Sequence, residues 1–263
     1  MFIKKVLIII YIASLLTGCN NNIEKIKKEN YPNYYKKEYK ERYQIYKEKN
    51  NDLGYEDIVT RVNIGLDQPY YTNTKETNNL NKTYILVNKY LFMSTNYIPD
   101  NLETINQKYT NGTKQLVNEA KIKFEEMAKK AMTDGYIIRA ISAYRSYEYQ
   151  NILYNKYVNQ DGIDVADTYS ARPGYSEHQT GLVVDIDNSK TDYTKFEETN
   201  EFNWMQENAH KYGFILRYPK GKENITGYTY ESWHYRYVGE KIATYIKENN
   251  ITFDEYYIRF IDV

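Results

Sequence analysis

Cysteine is nearly absent from these 263 residues. Cys19 stands alone, so no disulfide within the chain holds the fold together. Charge of one sign is also missing. Lys+Arg and Asp+Glu both number 35, which removes the basic surplus that nucleic acid demands and the acidic surplus that a basic partner demands. No apolar run reaches the roughly 20 residues of an ordinary membrane-spanning helix, and no internal repeat is present. Histidine is limited to His178, His210 and His234. What remains is a length sufficient for one domain with a sizeable core plus a tail. Tyrosine is plentiful at 32 residues. Such a surface is suited to stacking on sugars or gripping peptides, but scattered aromatic residues alone need no special function.

The N-terminus reads as an address. Lys4 and Lys5 precede the apolar run Val6 to Leu16, which is the right length for a signal-peptide core. The run ends in Leu16-Thr17-Gly18-Cys19, which resembles a bacterial lipobox. Residues 1–18 are therefore expected to be a lipoprotein signal peptide. Cys19 is expected to carry lipid, and the mature chain to sit outside the cytoplasmic membrane on that anchor. Residues 19–54 hold the lipidated cysteine and a stretch dense in Lys, Glu, Asn and Tyr, which predicts a solvated spacer, partly helical at best.

Residues 55–83 form an N-terminal extension, and 84–263 the main domain. Ile58, Val59, Val62 and Ile64 are β-branched and read as strand-like, and Tyr84 to Asn88 is a further candidate strand. Leu116 to Met132 repeats apolar residues at helical spacing and stops near Gly135. Tyr136 to Ala143 reads as a buried strand, and Ser146 to Asn159 as a helix capped by Ser146. In the short strand 182–187, alternation puts Leu182, Val184 and Ile186 on one face and Val183, Asp185 and Asp187 on the other. A helix over Glu201–Tyr212 ends at Gly213, Trp233–Val238 is a strand, and Lys241–Asn249 closes the pattern as a helix or turn. Helices and short strands without a βαβ repeat predict an α+β fold: a small antiparallel sheet flanked by helices.

Two histidines sit in suggestive surroundings: Ser176-Glu-His178-Gln-Thr-Gly181-Leu-Val-Val-Asp185 and Glu231-Ser-Trp-His234. Catalytic zinc takes three protein ligands from His and Asp/Glu and keeps one position open. His178, Asp185 and His234 supply that set. Gly181 permits a tight turn between the first ligand and the strand carrying the second. Glu231 suits a general base beside a metal-held water. Three residues before His234, it belongs in an irregular segment, since a regular strand would put the two on opposite faces. The spacings alone leave a rival open. A carboxylate in an apolar strand needs a partner, and Asp185 has Arg139 or Arg145 as alternatives to a metal. His210 has no acidic or histidine neighbour at ligand spacing and reads as structural.

Four segments, in order, resemble the VanY-type D-alanyl-D-alanine carboxypeptidases, a zinc peptidase family that includes L,D-carboxypeptidases. They are Ser142–Gln150, Ala171–Ile186, Tyr212–Pro219 and Glu231–Gly239, and the likeness spans roughly residues 84–240. Their order and spacing make the set far more specific than any one of them. The resemblance implies that His178, Asp185 and His234 hold Zn2+ and that Glu231 is the base. Arg145 would stabilise substrate or a developing oxyanion, and Ser176 and Gln150 would line the cleft. It implies the compact fold shared with the Hedgehog signalling domain and DD-peptidases. The implied reaction is removal of a terminal D-Ala from peptidoglycan stem peptides. The alternatives are L,D-carboxypeptidase or endopeptidase action at the same site, or a non-catalytic lipoprotein that binds cell wall. The family's usual alanine between Leu182 and Asp185 is a valine here, Val183 or Val184, a small departure that leaves the ligand set unchanged.

Overall fold

The computed structural model describes residues 31–263. The expected signal peptide and Cys19 lie outside these residues. The elements run α1 (Lys40–Lys49), α2 (Tyr55–Ile64), β1 (Lys75–Glu76), β2 (Leu91–Phe92), β3 (Leu102–Thr104), β4 (Gln115–Val117), α3 (Asn118–Thr133) and β5 (Arg139–Ser142). They continue with α4 (Tyr147–Asp161), α5 (Ile163–Tyr169), β6 (Val183–Asp187), α6 (Asn200–Asn208), β7 (Phe214–Leu216), α7 (Glu223–Thr226), β8 (His234–Tyr237), α8 (Glu240–Asn249) and α9 (Phe253–Phe260). The centre is an antiparallel sheet of order β5-β6-β8-β7. This is the α+β arrangement expected from the sequence.

The register of this sheet places the chemistry. Asp185 on β6 lies directly opposite His234 on β8 and, across a bulge, opposite Ser142 on β5. Cross-strand partners project from the same face, so pairing alone puts the carboxylate beside the imidazole. The neighbouring residues Val184 and Ile186 point the other way, into a core with Phe124 and Met127 of α3, Phe214 and Tyr235. A second core joins Ile58, Val59 and Val62 of α2 to Ile246 of α8 and to Phe253, Tyr257 and Ile258 of α9.

Three expectations from the sequence need correction. From Pro32 onward the predicted solvated spacer is part of the folded body. Tyr43 of α1 is 1% exposed and joins the second core, as does Tyr34. The few aliphatic residues there are offset by tyrosines that bury their rings and satisfy their hydroxyls. The Tyr43 hydroxyl donates to Asn63 Oδ1 at 2.7 Å, and the Tyr34 hydroxyl to Glu56 Oε1 at 3.2 Å. Residues 55–64 are a helix, not a strand, entered after Gly54 and ended by left-handed Gly65. Burial of Ile58, Val59 and Val62 on one helical face outweighs the mild β preference of branched side chains. Residues 84–88 form no strand, although 85–88 are buried. Arg236 takes the carbonyls of Thr83 and Ile85 through Nη2, at 2.9 and 2.7 Å, and the Thr77 hydroxyl takes that of Leu86.

The other expected elements appear within a few residues of their predicted bounds. Ser146 caps α4 by accepting from the Tyr149 N–H. The expected helix 201–212 is α6 followed by a tighter 3-10 turn, Ala209–Tyr212, closed by Gly213 in the left-handed region. The helix α9, with its capping box of Thr252 and Glu255, had no counterpart in the sequence reading. Among the described residues no helix is long and apolar enough to cross a membrane.

Candidate metal centre

The segment Glu177–Thr180 winds as a 3-10 turn that buries all four side chains and ends at Gly181, φ +68°. A Cβ on Gly181 would lie 2.8 Å from Leu102 Cδ2, so both the conformation and the space require glycine. The turn brings His178 over β6. One donor atom from each of His178, Asp185 and His234 lies within 4.8 Å of the others, and all three residues are buried.

The contacts among these atoms identify a shared focus. His234 Nδ1 lies 3.1 Å from Asp185 Oδ1, and His178 Nε2 lies 3.3 Å from Asp185 Oδ2. Asp185 Oδ1 is nonetheless a buried atom without a hydrogen-bond partner. Nitrogen and oxygen ligands of a tetrahedral zinc lie about 3.3–3.6 Å apart, close to both contacts. A buried carboxylate set between two imidazole nitrogens, with one oxygen left without a hydrogen bond, is the arrangement an ion completes, and a His/His/carboxylate set suits zinc. The far nitrogen of His178, Nδ1, is held to the Ala143 carbonyl at 2.7 Å, which leaves Nε2 as the ligand atom.

The rival partner for Asp185 is also present, and it coexists with the metal geometry. Arg145 Nη2 donates to Asp185 Oδ2 at 2.7 Å, and Nε donates to Ser142 Oγ at 3.0 Å. Oδ1 stays free. Arg139 instead forks onto Asp187 at 3.0 and 2.9 Å.

Glu231 lies in the irregular segment before β8, and His234 is the first residue of that strand. Glu231 Oε2 is 3.4 Å from His234 Nδ1. Burial pushes its carboxyl up to about 7, the Asp185 charge adds to the rise, and His234 and Arg145 oppose it. His178 is pulled down to about 4 by burial and by the Arg145 charge, so its ring is neutral near pH 7. Burial pulls His234 down too, but the carboxylates of Asp185 and Glu177 outweigh it and raise the ring to about 9.

These groups line one wall of a cleft of about 960 Å³. Arg145, Ser176 and Gln150 line it as well. Gln150 donates to the Ala171 carbonyl at 2.8 Å and keeps a buried Oε1 without a partner. His210 is elsewhere, in a small depression beside α6 and β7, as its structural reading requires.

The sequence reading missed the layer beneath the histidines. Glu177, Arg217, Arg236 and Asp254 are all buried there, and Arg217 and Arg236 each donate to Glu177 Oε1, at 2.9 and 3.0 Å. One signal was available: Arg236 stands two residues after His234, on the same face of β8. The Tyr218 ring also packs on His234, with ring centres 4.8 Å apart.

Comparison with known proteins agrees with this geometry. Residues 113–240 match the VanY family, D-alanyl-D-alanine carboxypeptidase. The chain is 37% identical over 213 residues to YodJ of Bacillus subtilis (strain 168), a protein named as a candidate carboxypeptidase, covering 74% of this chain and 76% of YodJ. Among solved structures it resembles the LdcB LD-carboxypeptidase, with TM-score 0.67 and 37% identity over 72% of this chain and 91% of that one. It also resembles a mutant of the vancomycin resistance D,D-pentapeptidase VanY in complex with Zn(II), with TM-score 0.57 and 32% identity over 66% of this chain and 98% of that one. The chain belongs to the VanY family of D-alanyl-D-alanine carboxypeptidases.

Proposed function

We propose that this protein is a zinc-dependent D,D-carboxypeptidase that removes the terminal D-Ala from peptidoglycan stem peptides. His178, Asp185 and His234 hold the metal, and Glu231 is the base. The observation that carries the reading is the buried Asp185 carboxylate between two imidazole nitrogens, Oδ1 facing His234 and Oδ2 facing His178, with the Glu231 carboxylate 3.4 Å from His234 Nδ1.

A bound zinc supplies Lewis acidity and brings the pKa of a water it holds towards about 7. The remaining work falls to side chains. Glu231 Oε2 accepts a proton from the attacking water and returns it to the leaving amine. Burial raises this carboxyl and a bound cation would oppose the rise, which suits a group that must both accept and return a proton. Arg145 spends Nε on Ser142 and one N–H of Nη2 on Asp185. Its remaining N–H groups are available to the substrate carboxylate or to the oxygen that gains charge as water adds. Ser176 and the free Oε1 of Gln150 position the peptide backbone along the cleft.

A second reading, L,D-carboxypeptidase action on a shorter stem, is favoured by the likeness to LdcB across 91% of that chain. Both release D-alanine, so the test is product analysis on two defined stems. Release from a pentapeptide ending in D-Ala-D-Ala supports the first reading. Release from the tetrapeptide alone supports the second. No D-alanine from either, with zinc bound, would sink both. The anchor is proposed on the same footing: lipid on Cys19 would hold the enzyme on the outer face of the membrane, where stem peptides are found.

A further inference from the structure

Both histidines present one nitrogen to the proposed metal, and each needs its other nitrogen held if the ring is to stay aimed. His178 solves this with the Ala143 carbonyl. For His234 the far nitrogen is Nε2. It is buried, has no hydrogen-bond partner, and faces Glu177 Oε2 at 4.0 Å. That oxygen is also buried and also lacks a partner.

We propose that Glu177 is a positioning residue for His234: its Oε2 accepts the Nε2–H, and this fixes Nδ1 as the ligand atom. The inference rests on His234 being a metal ligand. The rest of the network explains why Glu177 can act at only one oxygen. Oε1 is taken by Arg217 Nε and Arg236 Nη1. Arg217 Nη1 continues to Asp254 Oδ2 at 2.6 Å, and Asn88 holds Asp254 Oδ1 at 2.9 Å. Arg236 Nη2 is fixed by two main-chain carbonyls. Two guanidiniums therefore clamp one carboxylate oxygen and leave the other aimed at the ring. The clamp reaches α9, which lies beyond the segment that matches the family.

A carboxylate is required because it only accepts hydrogen bonds. In Glu177→Gln, the two arginine donors would keep the amide oxygen, and the amide N–H₂ would turn towards His234 Nε2. Two donors would then meet unless the ring moved its proton to Nδ1, the atom needed for the metal.

The test is zinc affinity, measured by chelator competition on folded protein, for E177Q, D254N and His234→Ala. E177Q is expected to bind zinc about 10–100-fold more weakly than the parent. D254N disturbs the clamp but leaves the Glu177–His234 pair, so its affinity should stay within about threefold while its thermal midpoint falls. His234→Ala separates the two claims. If it binds zinc normally, the ligand assignment fails. If it binds weakly while E177Q binds like the parent, only the present inference fails. Nitrogen-15 NMR of histidine in the zinc-loaded parent gives an answer even if E177Q does not fold, and the spectrum holds only three rings. His234 is expected to carry its proton on Nε2, slow to exchange. A proton on Nδ1, or rapid exchange at Nε2, overturns the inference.

Discussion

Replacing Glu231 by Gln keeps the size of the side chain and removes both its charge and its basicity. Two opposite effects follow. With no group to take the proton from water, kcat should fall about 10²- to 10⁴-fold. At about 1.36 kcal/mol per tenfold, that is roughly 3–5 kcal/mol of lost transition-state stabilisation. Stability should move the other way. Burial holds the Glu231 carboxyl at about 7 instead of the ordinary 4.5. A group whose folded-state pKa is raised favours the fold while protonated, so its contribution is present below pH 4.5 and lost as pH rises to about 7. The shift of about 2.5 units corresponds to about 3 kcal/mol. In metal-free enzyme, the advantage of E231Q over the parent should therefore grow by about 3 kcal/mol between pH 4.5 and pH 8. Urea unfolding at the two pH values, with stem-peptide hydrolysis on zinc-loaded protein, measures both effects. Full activity in E231Q would refute its role as base. A stability difference that stays the same at both pH values would refute the buried, destabilised carboxylate.

Other predictions follow from the same coordinates. For the parent enzyme, log(kcat/KM) should rise with pH and level off at or below about pH 7, because Glu231 must be ionised to accept a proton and a bound cation would oppose the rise that burial causes. A profile still flat at pH 4 would contradict this. Gly181→Ala forces a left-handed alanine, about 1–2 kcal/mol, and drives a methyl group into Leu102 and Val117, another 1–3 kcal/mol. Denaturation should show a loss of about 2–5 kcal/mol, and a neutral result would rule out the tight turn. A chain beginning at residue 84 should fail to give a cooperative transition, because Ile58, Val59 and Val62 are fully buried against α9 partners such as Phe253. A cooperatively folding 84–263 fragment would contradict that packing. Cys19→Ser should move the protein from the membrane to the soluble fraction on cell fractionation, and unchanged retention would rule out the lipid anchor.

The cluster of His178, Asp185 and His234 could be read from the sequence because scarcity isolated the histidines. With three histidines available, two stood in segments whose order and spacing matched a family, and strand alternation put Asp185 on the face opposite Val184 and Ile186. The support beneath them was hidden because arginine and glutamate ordinarily mark a surface. Arg217, Arg236 and Glu177 are buried because they satisfy one another, a condition visible only when three distant segments meet. The first helices were hidden for a related reason. Tyr34 and Tyr43 count as polar, solvated residues in a linker, and they become core residues once Thr60 and Asn63 of α2 come within reach of their hydroxyls. Residues 84–88 looked like a strand because Ile85, Leu86 and Val87 make an apolar core to the segment. Their carbonyls go to Arg236 and Thr77, which a local pattern cannot reveal.

A crystal of zinc-loaded protein measured at the zinc absorption edge tests the account most directly. The expected result is one anomalous peak about 2.0–2.2 Å from His178 Nε2, Asp185 Oδ1 and His234 Nδ1, with the Glu231 carboxylate beside the open position. A peak held by other residues, or none at this cluster in protein that contains stoichiometric zinc, would contradict it.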